Sequence, residues 1–339
     1  MKRELLGFLV CPSCKNSLEL GVLDEIGEEI INGDLRCTSC YASYPIQQGV
    51  PRFVPSQLET SAVNTSHAFT YEWESFSDRL EGTLFTQRDL FLDFVHPVNA
   101  DYFEDKVVLD AGCGMGRFSR LAAEFGARQV VGVDLGHSVD VAYQRLRSFP
   151  NIHIVQADIL SLPLKQDYQY IFSIGVLHHT VDPRRSFEAL LSLLQTKGGI
   201  SVWVYGRENN GWIIHVLNPI RTKITSKMPH WALNTLSYPL AASIRLIANG
   251  VYKPISGNTS LQSLWKWLPY REYLVFFSQF SFHEQRADVF DHLAPELAFY
   301  IARPEFEAWF LENGLAQVSI TQRTGNSWRG FGIKTVGDQ

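Results

Sequence analysis

Lys106-Val107-Val108-Leu109-Asp110-Ala111-Gly112-Cys113-Gly114-Met115-Gly116-Arg117 is the stretch that decides how this chain of 339 residues is read. An apolar strand runs straight into alternating glycines and then into a helical segment, 118–125, which is the nucleotide-binding turn of a doubly wound α/β sheet. Glycines let the backbone approach a ligand closely. The spacing alone is common to nicotinamide, flavin and S-adenosylmethionine proteins, so the flanking elements must separate them.

The next strand, 129–133, ends in Asp134, placed to accept hydrogen bonds from both ribose hydroxyls. The third strand, 152–156, leads into Asp158-Ile159, where a carboxylate can accept from an adenine amino group. Asp110 stands just before the glycines, where it would repel a pyrophosphate, and the GxGxxG spacing is absent. These three carboxylates together describe an adenosine pocket and favour S-adenosylmethionine.

Outward from there, five segments occur in order: VLDAGCGMGRFS (108–119), VVGVDLG (130–136), QADILSLP (156–163), YIFSIGVLHHTVDP (170–183) and KGGISVWVY (197–205). This order resembles the class I S-adenosylmethionine-dependent methyltransferases. The resemblance implies a Rossmann-like α/β fold with a seven-stranded sheet. It places Asp110 and Gly112 at the methionine end of the cofactor, Gly114 and Gly116 in the close-approach turn, Asp134 with Leu135 at the ribose, Asp158 with Ile159 at the adenine, and Ser173 at the end of the fourth strand.

Ligands of open α/β sheets sit beyond the carboxyl ends of the strands, so the loop Gly175-Val176-Leu177-His178-His179-Thr180 faces the chemistry. Methyl transfer from a sulfonium is an in-line displacement; the protein aligns the nucleophile and removes its proton if it has one. Histidine titrates in the range for that task, and the similar LHH motif of small-molecule O-methyltransferases implies that His178 or His179 is the base. The spacing does not choose between them. The fourth strand is followed by no Asn/Asp-Pro-Pro-aromatic tetrad for holding a planar amide nitrogen; Ser173-Ile174-Gly175-Val176 stands there instead.

Four of the five cysteines lie in the first 40 residues as two pairs, Cys11/Cys14 and Cys37/Cys40, and the fifth, Cys113, is alone. A two-residue gap lets both thiolates of one turn face a single point, and two such turns complete a tetrahedral zinc site. With four thiolates no coordination position stays open, so the zinc ion is structural. Leu5-Leu6, the CPxC knuckle, Leu35-Arg36-Cys37, Tyr44-Pro45-Ile46 and Gly49-Val50-Pro51 with Phe53 resemble the zinc-ribbon family that includes the small activator subunit of tRNA and protein methyltransferases.

The expected organisation is a zinc ribbon (1–56), a helical lid segment (57–104), the methyltransferase core (105–206), a mostly helical substrate-cap insertion (207–290) and the C-terminal part of the core (291–339). Specificity is expected from the lid and the cap. The lid holds an aromatic stretch with Tyr71 and Trp73, followed by Arg88; the cap is divided by Pro219, Pro229, Pro239, Pro254 and Pro269. Arg207, Arg221, Lys223 and Lys227 against Glu208 give its first part a charge of +3. Asp291 and His292 resemble a short motif near the substrate mouth in related bacterial enzymes. A helix from Pro304 with Phe306, Trp309 and Phe310 on one face, then strands over 316–322 and 328–335, complete the sheet.

Thirty Lys and Arg against 35 Asp and Glu leave a net charge of −5, which argues against a polyanionic partner such as RNA or an acidic membrane. Trp231 to Tyr252 comes nearest to a membrane-crossing run, and Asn234, Arg245 and Asn249 interrupt it. The N-terminal apolar run is too short for a signal peptide, so the chain reads as cytoplasmic. The expectation is an S-adenosylmethionine-dependent methyltransferase acting on a hydroxyl or amine of a small biosynthetic molecule. An RNA base methyltransferase is the alternative from the same chemistry, and a non-catalytic activator or scaffold the alternative from another class.

Overall fold

Four strands open the chain: β1 (Leu18–Ile26), β2 (Glu29–Cys37), β3 (Ser43–Gln47) and β4 (Val50–Phe53). They pair antiparallel in sequence order, with Leu18 opposite Cys37, Leu35 opposite Tyr44 and Ile46 opposite Pro51. The computed structural model describes residues 1–55, 57–76 and 86–335; part of the expected lid, 77–85, lies outside the described residues.

Helix α1 (Thr60–Ser75) and helix α2 (Gln87–Phe94) follow, the latter started by a reciprocal capping box between Thr86 and Asp89. Then come β5 (Val107–Ala111), α3 (Arg117–Glu124), β6 (Gln129–Asp134), α4 (Ser138–Leu146), β7 (Ile152–Ala157), β8 (Tyr168–Ile174), α5 (Pro183–Leu193) and β9 (Leu194–Tyr205). Strands β5 to β9 pair parallel, and their Val, Ile and Leu runs suit a sheet covered on both faces. Val107, Leu109 and Ala111 point to the layer of α5; Val108 points to the layer of α2, α3 and α4. Helix α5 starts cleanly because Asp182 accepts from the Arg185 amide and Pro183 fills the first turn.

The cap contains no strand among the described residues. It comprises α6 (Asn218–Lys223), α7 (His230–Ile247), α8 (Lys253–Ser256), α9 (Gln262–Trp267), α10 (Arg271–Phe277) and α11 (Phe282–Leu293). Pro239 does not end a helix as expected: it lies inside α7 on an exposed face, where solvent can donate to the Thr235 carbonyl that the proline leaves without a helix donor. Helix α11 also carries the cap past the expected boundary at 290, so Asp291 and His292 occupy its last turn. Helix α12 (Arg303–Leu311) then packs Phe306, Trp309 and Phe310 against the sheet, and β10 (Leu315–Arg323) and β11 (Ser327–Lys334) close it as an antiparallel pair beside β9.

The full strand order is β1-β2-β3-β4-β7-β6-β5-β8-β9-β11-β10. The seven strands from β5 onward are the expected methyltransferase sheet. The ribbon, expected as a separate module, is joined edgewise to it: Arg52 pairs with Gln156 and Phe53 with Ala157 in parallel register. Four strands and two knuckles cannot bury much apolar area alone. Leu5, Leu18, Ile30, Leu35 and Phe53 instead share one core with Leu109, Val133 and Val155, and β4 covers what would be an open edge at β7. No helix of the described residues is long and apolar enough to cross a membrane.

Candidate cofactor and acceptor site

The carboxyl ends of β5, β6, β7 and β8 converge on one cavity. Gly112, Asp134, Leu135, Ala157, Asp158, Ile159 and Ile174 line it from the sheet, and Thr65, Phe69 and Trp73 of α1 line it from above. The crevice lies where the chain reverses direction across the sheet, with β6 on one side of β5 and β8 on the other.

Asp134 is fixed by two backbone amides: Gly114 N–H donates to Oδ2 at 2.9 Å and Gly136 N–H to Oδ1 at 2.8 Å. Each oxygen keeps a lone pair for a ribose hydroxyl. Burial raises the Asp134 carboxyl above its usual range, and those amides oppose the shift. Asp158 accepts from the Leu160 amide through Oδ1 at 3.0 Å, which leaves Oδ2 for an adenine amino group. Gly112 has φ +86°, and a side-chain carbon there would come within 2.2 Å of Val176, so only glycine keeps this wall open.

Three expected cofactor residues serve the fold instead. Asp110 is buried below the glycine turn and accepts from Ser119 Oγ at 2.6 Å, tying α3 to β5; it lines neither cavity described here, and burial pushes its carboxyl up to about 7. Ser173 donates to the Ala111 carbonyl at 2.8 Å and braces β8 against β5. Gly116, with φ +80°, lets α4 approach: a carbon added there would meet Leu146 at 2.3 Å. Gly114 faces the Trp73 ring and supplies its amide to Asp134.

A second chamber adjoins the first, and Phe69, Trp73, Gly112, Ile174 and Gly175 line both. Its walls are aromatic, from Trp73, Phe94, Trp203, Tyr205 and Phe276, with Arg117, Glu72, Asp288, Asp291 and His292 among its polar groups. Tyr205 Oη donates to Asp291 Oδ2 at 2.5 Å. Sequence reasoning missed Trp203 and Tyr205, although the alternation in Val202-Trp203-Val204-Tyr205 carries the signal. The valines are buried in the core, and the two aromatic rings face the chamber.

The histidines separate. His178 is fully buried, packs its ring 4.0 Å from that of Tyr205, lines neither cavity, and neither ring nitrogen has a hydrogen-bond partner among the described residues. Burial lowers its pKa far below the usual value, so it stays neutral. The expectation of a catalytic base at His178 is therefore corrected. His179 lines the cofactor cavity, and its Nδ1 lies 2.6 Å from the Leu297 carbonyl. A carbonyl only accepts, so Nδ1 carries the proton and Nε2 is the acceptor. Burial lowers His179 to about 4, which makes it a weak base on the cofactor side.

Of the expected substrate residues, Trp73, Asp291 and His292 line the acceptor chamber. Tyr71 does not: it stacks on Phe290 of α11 at 5.5 Å and joins the lid to the cap. Arg88 is exposed on α2, with its guanidinium 4.3 Å from the Phe125 ring centre. That helix turns its other face, Leu90 and Phe91, to the core, so Arg88 points away from the site.

The sulfurs of Cys11, Cys14, Cys37 and Cys40 all lie within 4.8 Å of one another, with Cys14 and Cys37 at 3.4 Å and Cys11 and Cys40 at 3.6 Å. Ligands about 2.3 Å from one zinc ion stand roughly 3.8 Å apart in a tetrahedron, so the cluster fits. Amides of Ser39 and Cys40 point at the Cys37 sulfur, the arrangement that stabilises a thiolate.

Comparison with known proteins agrees with this architecture. A family described as methyltransferase domain matches residues 108–198, and a family described as Trm112p-like protein matches residues 2–49. A tRNA U34 carboxymethyltransferase of Pseudoalteromonas atlantica is 33% identical over 113 residues, 31% of this chain and 35% of its own. One of Ruthia magnifica is 30% identical over 99 residues, 28% of this chain and 31% of its own. The chain thus spans about a third of the length of these relatives. Among solved structures, a complex between the Haloferax volcanii Trm112 methyltransferase activator and a methyltransferase aligns with TM-score 0.45 and 13% identity, covering 81% of this chain and 98% of that one. The chain therefore carries a class I S-adenosylmethionine-dependent methyltransferase domain joined to a Trm112-like zinc ribbon. The small-molecule acceptor expected from the sequence is withdrawn, as is the expectation against nucleic acid: both relatives above are named for tRNA. Net charge averages over the whole surface and was the wrong observable for one site.

Proposed function

We propose that the protein transfers the methyl group of S-adenosylmethionine to a base in RNA. The observation that carries this reading is the aromatic-walled chamber opening onto the cofactor cavity across Gly112, Ile174 and Gly175. Enzymes that modify a base take it out of its stack and hold it between aromatic faces, with polar groups at its edge. Trp203, Tyr205, Phe94 and Trp73 supply such faces, and Asp291 and His292 supply edge groups. The tRNA-directed names of the relatives that share the core support the same acceptor class.

The cofactor supplies the electrophilic methyl group. Asp134 and Asp158 would hold its ribose and adenine, and His179, with its proton on Nδ1, lines the cofactor side. Tyr205, hydrogen-bonded to Asp291, lines the acceptor chamber with it, and this pair would take up a proton released by the acceptor. The zinc ion supplies no chemistry; its thiolates hold the knuckles that set β4 against β7.

Incubation with methyl-labelled S-adenosylmethionine and cell extract separated into RNA, protein and small molecules tests the reading. Label in RNA that is released as a methylated nucleoside on nuclease digestion is the expected result. Label confined to another fraction overturns it.

A further inference from the structure

From Asn209 to Arg271 the chain holds seven Lys and Arg and no Asp or Glu, whereas the rest of the chain holds 23 and 35; of the seven, Lys223, Lys227, Lys253 and Lys266 are exposed, while Arg221 is buried and Arg271 lies beside Glu272. The same segment leaves large apolar side chains in water. Trp267 is 86% exposed, Leu246 76%, Trp231 69% and Ile224 57%. These side chains follow the helices. Trp212, Val216, Ile220 and Ile224 recur every four residues through the turns leading into and out of α6. In α7, Leu233, Ser237 and Ala241 are buried toward α11, while Trp231 and Leu246 are exposed on the side away from it. Leu261, Leu264 and Trp267 form a further exposed row around α9, which also carries the exposed Lys266, and Lys253 is exposed on the preceding α8.

We infer that this outer face of the cap docks on an anionic phospholipid bilayer. Interfacial helices combine a basic polar face with Trp and aliphatic side chains that enter the boundary between headgroups and acyl chains. Positive side chains near such a surface are attracted by its negative potential. The aliphatic component separates this partner from RNA, since Leu246, Ile247, Val251 and Leu264 gain nothing from phosphates and offer no flat ring for a base. The charge separates it from a second copy of the chain, because a patch meeting itself across a twofold axis would bring its lysines together without one carboxylate from the segment to pair them. The binding is peripheral, consistent with the lack of a membrane-crossing helix among the described residues. It is independent of which acceptor the chamber takes.

Flotation of the full chain with lipid vesicles, without RNA, tests this. The protein floats with vesicles of equimolar phosphatidylcholine and phosphatidylglycerol, stays behind with phosphatidylcholine alone, and is released by high salt. The double variant Leu246→Asp/Trp267→Asp loses binding by about tenfold or more, and Lys253→Glu/Lys266→Glu does the same while leaving the apolar side chains in place. Unchanged S-adenosylmethionine affinity in both variants certifies the fold. Failure to float with anionic vesicles overturns the proposal, and so does flotation that neither variant diminishes. A patch that instead holds a salt-resistant dimer, dissociated by Leu246→Asp, would assign the face to a second copy. Loss of RNA retention in the lysine variants, without any vesicle binding, would assign it to RNA.

Discussion

Arg52, in the last strand of the ribbon, donates through Nη1 to Gln156 Oε1 at 3.1 Å, and Gln156 Nε2 donates in turn to the Leu135 carbonyl at 2.9 Å. Leu135 follows Asp134 and lines the cofactor cavity. Arg52 also pairs with Asp140 of α4. The ribbon therefore bears on the ribose end of the pocket through two hydrogen bonds, and its strand pairing holds Ala157, another cavity residue. Arg52→Ala is expected to weaken S-adenosylmethionine binding by about three- to tenfold, or up to about 1.4 kcal/mol, in calorimetric titration. Unchanged affinity would mean that the ribbon does not brace the pocket.

Removal of zinc should have a larger effect than loss of one arginine. The purified protein is expected to hold about one zinc ion per chain by elemental analysis. Chelation, or Cys14→Ser with Cys37→Ser, frees the knuckles, exposes the β7 edge and lowers both the unfolding temperature and cofactor affinity. An apo protein with the holo protein's melting point and affinity would contradict the structural role.

Asp134→Ala removes the group that the Gly114 and Gly136 amides orient. Cofactor affinity should fall more than tenfold, over about 1.4 kcal/mol, with little change in melting temperature of the cofactor-free protein. Equal affinity would place the ribose elsewhere.

Asp110 makes a pH prediction. Its carboxyl is raised by burial to about 7 from the ordinary aspartate value of 3.8, so between those values the folded protein binds the proton that the unfolded chain has released. Stability contributed by this group is present at low pH and is lost as pH rises through that window, with a slope of at most about 1.4 kcal/mol per pH unit. Asp110→Asn keeps an acceptor for Ser119 and should remove this slope, so the variant gains on the wild type from pH 4 to pH 7. Urea unfolding across that range without cofactor measures it, and a constant difference between the two proteins would refute the assignment. The buried His179 acts in the opposite sense: lowered to about 4, it costs stability as pH falls below its usual value of 6.5. Comparing each variant with wild type at every pH isolates the aspartate.

Tyr205 and His178 touch each other but differ in what they face. Tyr205→Phe should lower kcat by about tenfold or more with unchanged cofactor affinity, because it removes the hydroxyl beside Asp291. His178→Phe should leave kcat within a few-fold and change the melting temperature instead. A reversal of these effects would return the catalytic role to the histidine.

Much of this architecture was legible in the sequence because each signal was local. The glycine turn at 112–116, the strand-end carboxylates Asp134 and Asp158 and the paired cysteines each need only a few neighbouring residues to be read. What escaped depended on contacts distant in sequence. Edgewise pairing of Phe53 with Ala157 cannot be read from either strand, since an edge strand and a paired one share the same alternation. Asp110 and Ser173 occupy family cofactor motifs, yet their oxygens are taken up by Ser119 and Ala111. His178 and His179 are adjacent residues with opposite fates, because one turn of 3-10 helix sends one ring toward Tyr205 and the other toward the cavity. The basic cap was hidden by a net charge of −5, an average that masks a segment without a single carboxylate.

The central claim, methyl transfer to an RNA base, is tested most directly with tRNA from cells lacking this gene and tRNA from the parent cells as paired acceptors. Purified protein and methyl-labelled S-adenosylmethionine should label the first and leave the second nearly unlabelled, with the label recovered in one modified nucleoside. Equal absence of label from both, while the protein binds the cofactor and labels a non-RNA fraction of the same extract, would contradict it.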